Sequence, residues 1–277
     1  MSSLSSSNDA RAWLRTALLV IAAVLAVLAI AFALRLPVAE TLWPVAEGPT
    51  AFSFMAAILG GAAAPLLWIA LAREWGAVAG YGFAFGVVTA GMGLSAVVMA
   101  LLGGPARLLP FGIAMLVLAL ACFGAWRWGE RQPLRDGRTT PRLLQMGFVV
   151  EIAVLVGVGA LLLIRFPDIL PWPIAPETSS LYAWVFLGLA LYYAYGLWRR
   201  SWHHARGPLL GFLVYDLMLI GPLLARIPTL EPRFVFGLVA AVGIIVVSAL
   251  LAIWFLAVDP ETRGWQPVGG VGERPAR

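Results

Sequence analysis

Eight runs of about 20 apolar residues occupy most of this chain, and they leave it few ways to fold. Each is long enough to cross a bilayer as a helix, and none alternates apolar with polar residues as a barrel strand would. The runs cover residues 16–34, 51–72, 75–102, 108–128, 143–164, 180–198, 207–225 and 234–258. With 61% of 277 residues apolar and only 12% charged, too few polar groups exist to cover a soluble domain. The expectation is an all-α membrane protein of eight transmembrane helices.

Arginine sets the expected orientation, since the chain has no lysine and all 19 basic residues are Arg. Arg11, Arg15, Arg73, Arg127, Arg131, Arg135, Arg138, Arg142, Arg199, Arg200, Arg206, Arg263, Arg274 and Arg277 fall on one side. Only Arg35, Arg107, Arg165, Arg226 and Arg233 fall on the other. The positive-inside rule then places both termini in the cytoplasm, as an even number of spans requires. The net charge of +5 is accounted for by topology and an anionic inner leaflet, so the lipid bilayer is the expected partner and nucleic acid is not.

The chain also repeats itself. Arg35-Leu36-Pro37 and Trp43-Pro44-Val45-Ala46 return as Arg165-Phe166-Pro167 and Trp172-Pro173-Ile174-Ala175. At an offset of 127, Pro49 meets Pro176, Ser53 meets Ser180, Gly61 meets Gly188, Arg73 meets Arg200 and Trp75 meets Trp202. Four spans per copy return the chain to the same side, so two parallel four-helix repeats are expected, related by an axis along the membrane normal. The divisions are 1–128, an Arg-rich solvated linker 129–142, 143–258, and a mobile tail 259–277, with Ser-rich residues 1–10 mobile as well. The first run, with a basic start and Ala31-Phe32-Ala33, has the form of a signal peptide. Its mid-chain counterpart, ending in Arg165-Phe166-Pro167, argues that it is retained.

Several chemistries lack their residues. Without lysine there is no retinal Schiff base, and the single cysteine, Cys122, makes no intramolecular disulfide. His203 and His204 are adjacent in a loop, where contact with lipid headgroups is favoured over a metal; neither a cofactor nor a metal is expected. Gly80-Tyr81-Gly82 and Gly91-Met92-Gly93 lack the strand that precedes a phosphate loop, so they read as close helix packing.

Glu151 and Asp216 break the apolar pattern. Each lies roughly 12 to 14 Å from the cytoplasmic end of its run at about 1.5 Å per residue, so the two share a level. No cation is near in sequence, since Arg226 stands about 15 Å beyond Asp216. Two readings stay open: carboxyls held neutral against Tyr215, Tyr192, Tyr193, Tyr195 or a backbone carbonyl, or a proton or cation pathway. On the opposite side, Trp43 and Trp172 with Glu40, Glu47, Asp168 and Glu177 suggest an aromatic belt with rigid turns. The alternative is an outer binding face that adds Arg35 and Arg165. Gly60, Gly61 and Pro65 suggest a break in the second span.

The Pro-Trp loop before a span, with Arg73-Glu74-Trp75 after it, resembles a group of uncharacterised bacterial multi-pass membrane proteins. The likeness implies an inner-membrane location and carries no activity. Composition favours a non-enzymatic structural or interaction role, such as an accessory subunit binding other membrane subunits. A proton-linked small-solute transporter using Glu151 and Asp216 is the alternative, and a lipid-modifying enzyme at the outer loops the weaker one.

Overall fold

The computed structural model describes residues 2–134 and 136–263, with side chains from Ala12 onward. Among these residues eight helices are long and apolar enough to cross a membrane, and no strand is present beyond one isolated bridge. The spans are α1 (Ser2–Ala33), α3 (Pro49–Ala72), α4 (Val78–Leu101), α5 (Leu108–Gly129), α6 (Arg142–Leu163), α7 (Pro176–Arg199), α8 (Trp202–Arg226) and α9 (Val235–Ile253). A short α2 (Pro37–Leu42) follows α1, a 3-10 turn at Trp75–Ala77 leads into α4, and a π turn at Trp254–Val258 ends α9.

The helix ends follow from local sequence. Pro49 and Pro176 open α3 and α7 at positions where a missing N–H costs nothing. Arg35 and Arg165 both adopt left-handed backbone, with φ of 50° and 56°. The Leu36 N–H then reaches the Ala31 carbonyl and the Phe166 N–H the Leu161 carbonyl, each at 2.9 Å. Arg73 and Arg200 close α3 and α7 in the same left-handed way. The four arginines occupy left-handed positions usually given to glycine, closed by local backbone hydrogen bonds.

The helices α3, α4, α7 and α8 form the centre, α3 packing on α8 and α4 on α7. Outside them lie α1 on α3, α5 on α4, α6 on α7 and α9 on α8. Lipid competes for apolar contact, so close approach at small residues holds such a bundle together. A Cβ placed on Gly61 would stand 2.8 Å from the Gly211 carbonyl oxygen and 3.2 Å from Tyr215 Cβ. One placed on Gly188 would stand 3.1 Å from the Ala84 carbonyl oxygen and would collide with Val88. On α4, Gly82 meets the Cys122 carbonyl and the Trp126 backbone, and Gly93 meets Gly112, which explains the intimacy of α4 and α5.

Several sequence expectations change. Pro65 lies inside an unbroken α3, and α8 begins at Trp202, runs through Pro208 and takes both histidines into its first turn. The helix α1 extends back through the Ser-rich segment to Ser2. The linker's described residues are tied to α8, because Thr139 bridges Ser201 and the Trp202 N–H donates to the Arg138 carbonyl at 2.8 Å. Glu130 accepts hydrogen bonds from Arg199 and Tyr195 on α7. The start of the expected tail is held too: the Thr262 hydroxyl donates to the Phe255 carbonyl at 2.6 Å, and Arg138 donates to the Glu261 carbonyl. The rest of that tail, 264–277, lies outside the described residues.

Candidate functional site

A cavity of about 280 Å3 lies among α6, α7, α8 and α9, with α3 forming its back wall. Its walls are aliphatic and aromatic, and its floor holds Glu151 from α6, Asp216 and Tyr215 from α8, and Ser248 from α9. Glu151 and Asp216 therefore face a common space. They stand close enough for their charges to interact, and Ser248 lies against both Asp216 and the Tyr193 hydroxyl. Asp216 is 2% exposed and Glu151 8%. The Asp216 Oδ2 has no hydrogen-bond partner, and among the described residues no ion pair reaches either acid.

From this floor the cavity runs to the exposed end of α9 and the α6–α7 loop. Arg233 and Asp168 line it there, 3.9 Å apart, and Glu231 holds the same guanidinium at 3.0 Å. Phe236, on the rim, is 85% exposed. Near the other end of these helices the Leu251 side chain of α9 lies against Gly147 of α6. A second void of about 30 Å3, the space of a water molecule, lies where α3, α4, α7 and α8 meet and is bordered by Gly61 and Gly211.

The loop residues are placed differently from the sequence reading. Trp43 and Trp172 are each 4% exposed, so they form neither an interfacial belt nor an open face. Trp43 stacks on Tyr182 with ring centres 5.9 Å apart, and Trp172 packs on Phe54 at 5.4 Å. Trp172 nevertheless lines the cavity, as Trp43 does not. Burial lifts the Glu47 carboxyl above the usual carboxylate range, although Thr178 and the Ala175 backbone oppose the shift. Glu177 lies in the first turn of α7, its charge felt by Glu47, while Arg35 and Arg165 are exposed at their turns. Trp43 and Trp172 are joined through Tyr182 and Phe54, with Glu47 beside Tyr182 and Glu177.

His203 is corrected as well. Its side chain is fully buried, with Nδ1 2.9 Å from Glu74 Oε2 and Trp68 edge-on to its ring, so it cannot serve headgroups. Gly76 lies against its Nε2, and any larger residue there would displace it. His204 is buried against Tyr195. No group of three His, Cys, Asp or Glu among the described residues could hold a metal ion. Sequence reasoning missed Ser248 and Arg233 as cavity groups, and it placed Asp168 on the outer loops without linking it to the acids; a lone serine in an apolar run was the signal for the first. Comparison of the chain with protein-family models, with curated proteins and with solved structures found no match.

Proposed function

We propose that this chain is a proton-linked carrier of a small solute, with the α6–α9 cavity as its binding site and Glu151 and Asp216 as its proton-exchanging groups. The observation that carries this reading is the shared cavity: two buried acids, one with an unpartnered oxygen, at the foot of a space that reaches the surface. An uncompensated carboxyl in apolar surroundings costs free energy unless it holds a proton or meets a cation, so its retention points to use. Titratable and charged groups facing the pair are Tyr193 from α7 and Tyr215 from α8, with Asp168 and Arg233 at the mouth.

In this reading the chain lies in a bacterial inner membrane with both termini cytoplasmic, as the arginine distribution favours, and the cavity mouth is extracytoplasmic. Its halves descend from one four-helix unit. The pairing of α3 with α8 and of α7 with α4 supports this, because the close contacts pair positions 61 with 211 and 188 with 84, and both 61/188 and 84/211 are 127 apart. The acids belong to the second half alone, so transport is a property one copy acquired.

The test is uptake into proteoliposomes under an imposed pH gradient, using labelled organic cations, anions and neutral solutes, with an internal pH dye. Wild-type protein should couple uptake to proton movement, and Glu151→Gln and Asp216→Asn should abolish the coupling. Absence of flux, or flux unchanged in both variants, removes the carrier reading.

A further inference from the structure

We infer that the cavity binds a small organic monocation, an alkyl or aryl-alkyl ammonium, with its nitrogen at Asp216 and Glu151 and its apolar body against Phe54, Trp172, Phe212 and Phe236. The inference rests on the carrier reading for the fate of the ligand but not for its binding.

Four observations select this class. Two neighbouring carboxyls at the floor disfavour an anion and offer a cation direct neutralisation among apolar walls, which screen charge poorly. The unpartnered Asp216 Oδ2, on a residue 2% exposed, lacks a donor that an ammonium N–H would supply. Aromatic walls suit an organic cation, whose charge is attracted to ring faces while its carbon body needs no hydrogen bonds. A divalent metal instead needs about six oxygen ligands, and a sugar needs a polar group at each hydroxyl, neither of which these walls provide.

The mouth agrees. Arg233 would repel a cation if alone, but Asp168 and Glu231 both hold it, leaving the rim with more negative than positive charge. At the floor, a proton and an ammonium satisfy the same oxygen and cannot occupy it together. Binding of the cation therefore sends a carboxyl proton to the aqueous phase, and protonation releases the cation.

The test uses the full chain in nanodiscs at neutral pH with three probes of one skeleton: phenylpropylammonium, phenylpropanol and phenylpropionate. Equilibrium binding should favour the ammonium over the alcohol by about tenfold or more. Proton release into weak buffer should accompany ammonium binding only. Asp216→Asn and Glu151→Gln should each weaken the ammonium by about tenfold and leave the alcohol unchanged. If Asp216→Asn elutes as aggregate, Glu151→Gln carries the comparison. Equal affinity for the three probes, preference for phenylpropionate, no ammonium binding, or ammonium affinity unchanged in the folded variants overturns the inference. Binding as expected without proton-coupled flux overturns the carrier reading alone, and coupled flux of a non-cationic solute overturns this inference alone.

Discussion

Replacing Gly61 by alanine tests the seam between α3 and α8. The new Cβ would stand 2.8 Å from the Gly211 carbonyl oxygen and 3.2 Å from Tyr215 Cβ, and the first neighbour is backbone that cannot rotate away. Comfortable carbon contacts begin near about 3.5 Å, so the helices must part by roughly 0.5 Å, which forfeits about a quarter of each atom pair's ~0.1–0.2 kcal/mol. Over on the order of 50 pairs the loss is about 2 kcal/mol, within the usual ~1–3 kcal/mol for overpacking. Alanine's better helix propensity returns up to about 1 kcal/mol. Gly157→Ala on α6, where a Cβ meets nothing within 4 Å, receives the propensity gain without the clash. The two variants should therefore differ by about 2 kcal/mol in reversible SDS unfolding followed by tryptophan fluorescence. Gly188→Ala should also fall below Gly157→Ala, because its Cβ would stand 3.1 Å from the Ala84 carbonyl oxygen and against Val88, whose β-branched side chain has essentially one rotamer in a helix. Equal stability of Gly61→Ala and Gly157→Ala, within about 0.5 kcal/mol, would refute the seam as described.

Other consequences can be measured on the same preparations. Asp216→Leu should raise the unfolding midpoint while abolishing proton coupling, since an unpartnered buried oxygen costs about 1–3 kcal/mol; a lowered midpoint would show that the acid serves the fold. Burial alone would raise the Glu130 carboxyl, but hydrogen bonds from Arg199 and Tyr195 and the guanidinium charge outweigh it and hold it below its usual range. Its stabilisation is thus present above the ordinary glutamate range and lost as pH falls through the lowered value. The stability difference between wild type and Glu130→Gln should shrink in acid, and a difference that grows would contradict the pairing. His203→Ala removes a fully buried ring packed on Trp68 and beside Glu74 and should cost about 2–3 kcal/mol in thermal unfolding, whereas a surface histidine would cost almost nothing. Single-tryptophan variants that keep Trp43 or Trp172 should resist aqueous quenchers, and one keeping the exposed Trp13 should not; ready quenching of Trp43 would restore the interfacial belt.

Spans were legible because hydrocarbon imposes them: a run of about 20 apolar residues has one structural solution, and eight such runs give eight membrane-length helices. Helix ends were legible at Pro49 and Pro176 for a similarly local reason, the missing N–H. Glu151 and Asp216 stood out as acids in apolar runs, and counting residues along a helix put them at one level.

Their shared cavity was not legible, because depth along an axis says nothing of rotation about it or of which helices are neighbours. Packing of α6 and α9 around α8 and α7 brought Glu151, Asp216 and Ser248 onto one floor. Trp43 and His203 show the same division. A tryptophan beside prolines and a histidine beside arginines suit a membrane surface by composition. Tertiary packing instead placed both inside, Trp43 stacked on Tyr182 and His203 between Trp68 and Glu74. The sequence by itself determined that the chain crosses a membrane and which residues are out of place there. The tertiary structure decided which of those residues meet, because convergence depends on helix rotation and on side-chain volumes at seams such as Gly61 and Gly211, set jointly by residues far apart in the chain.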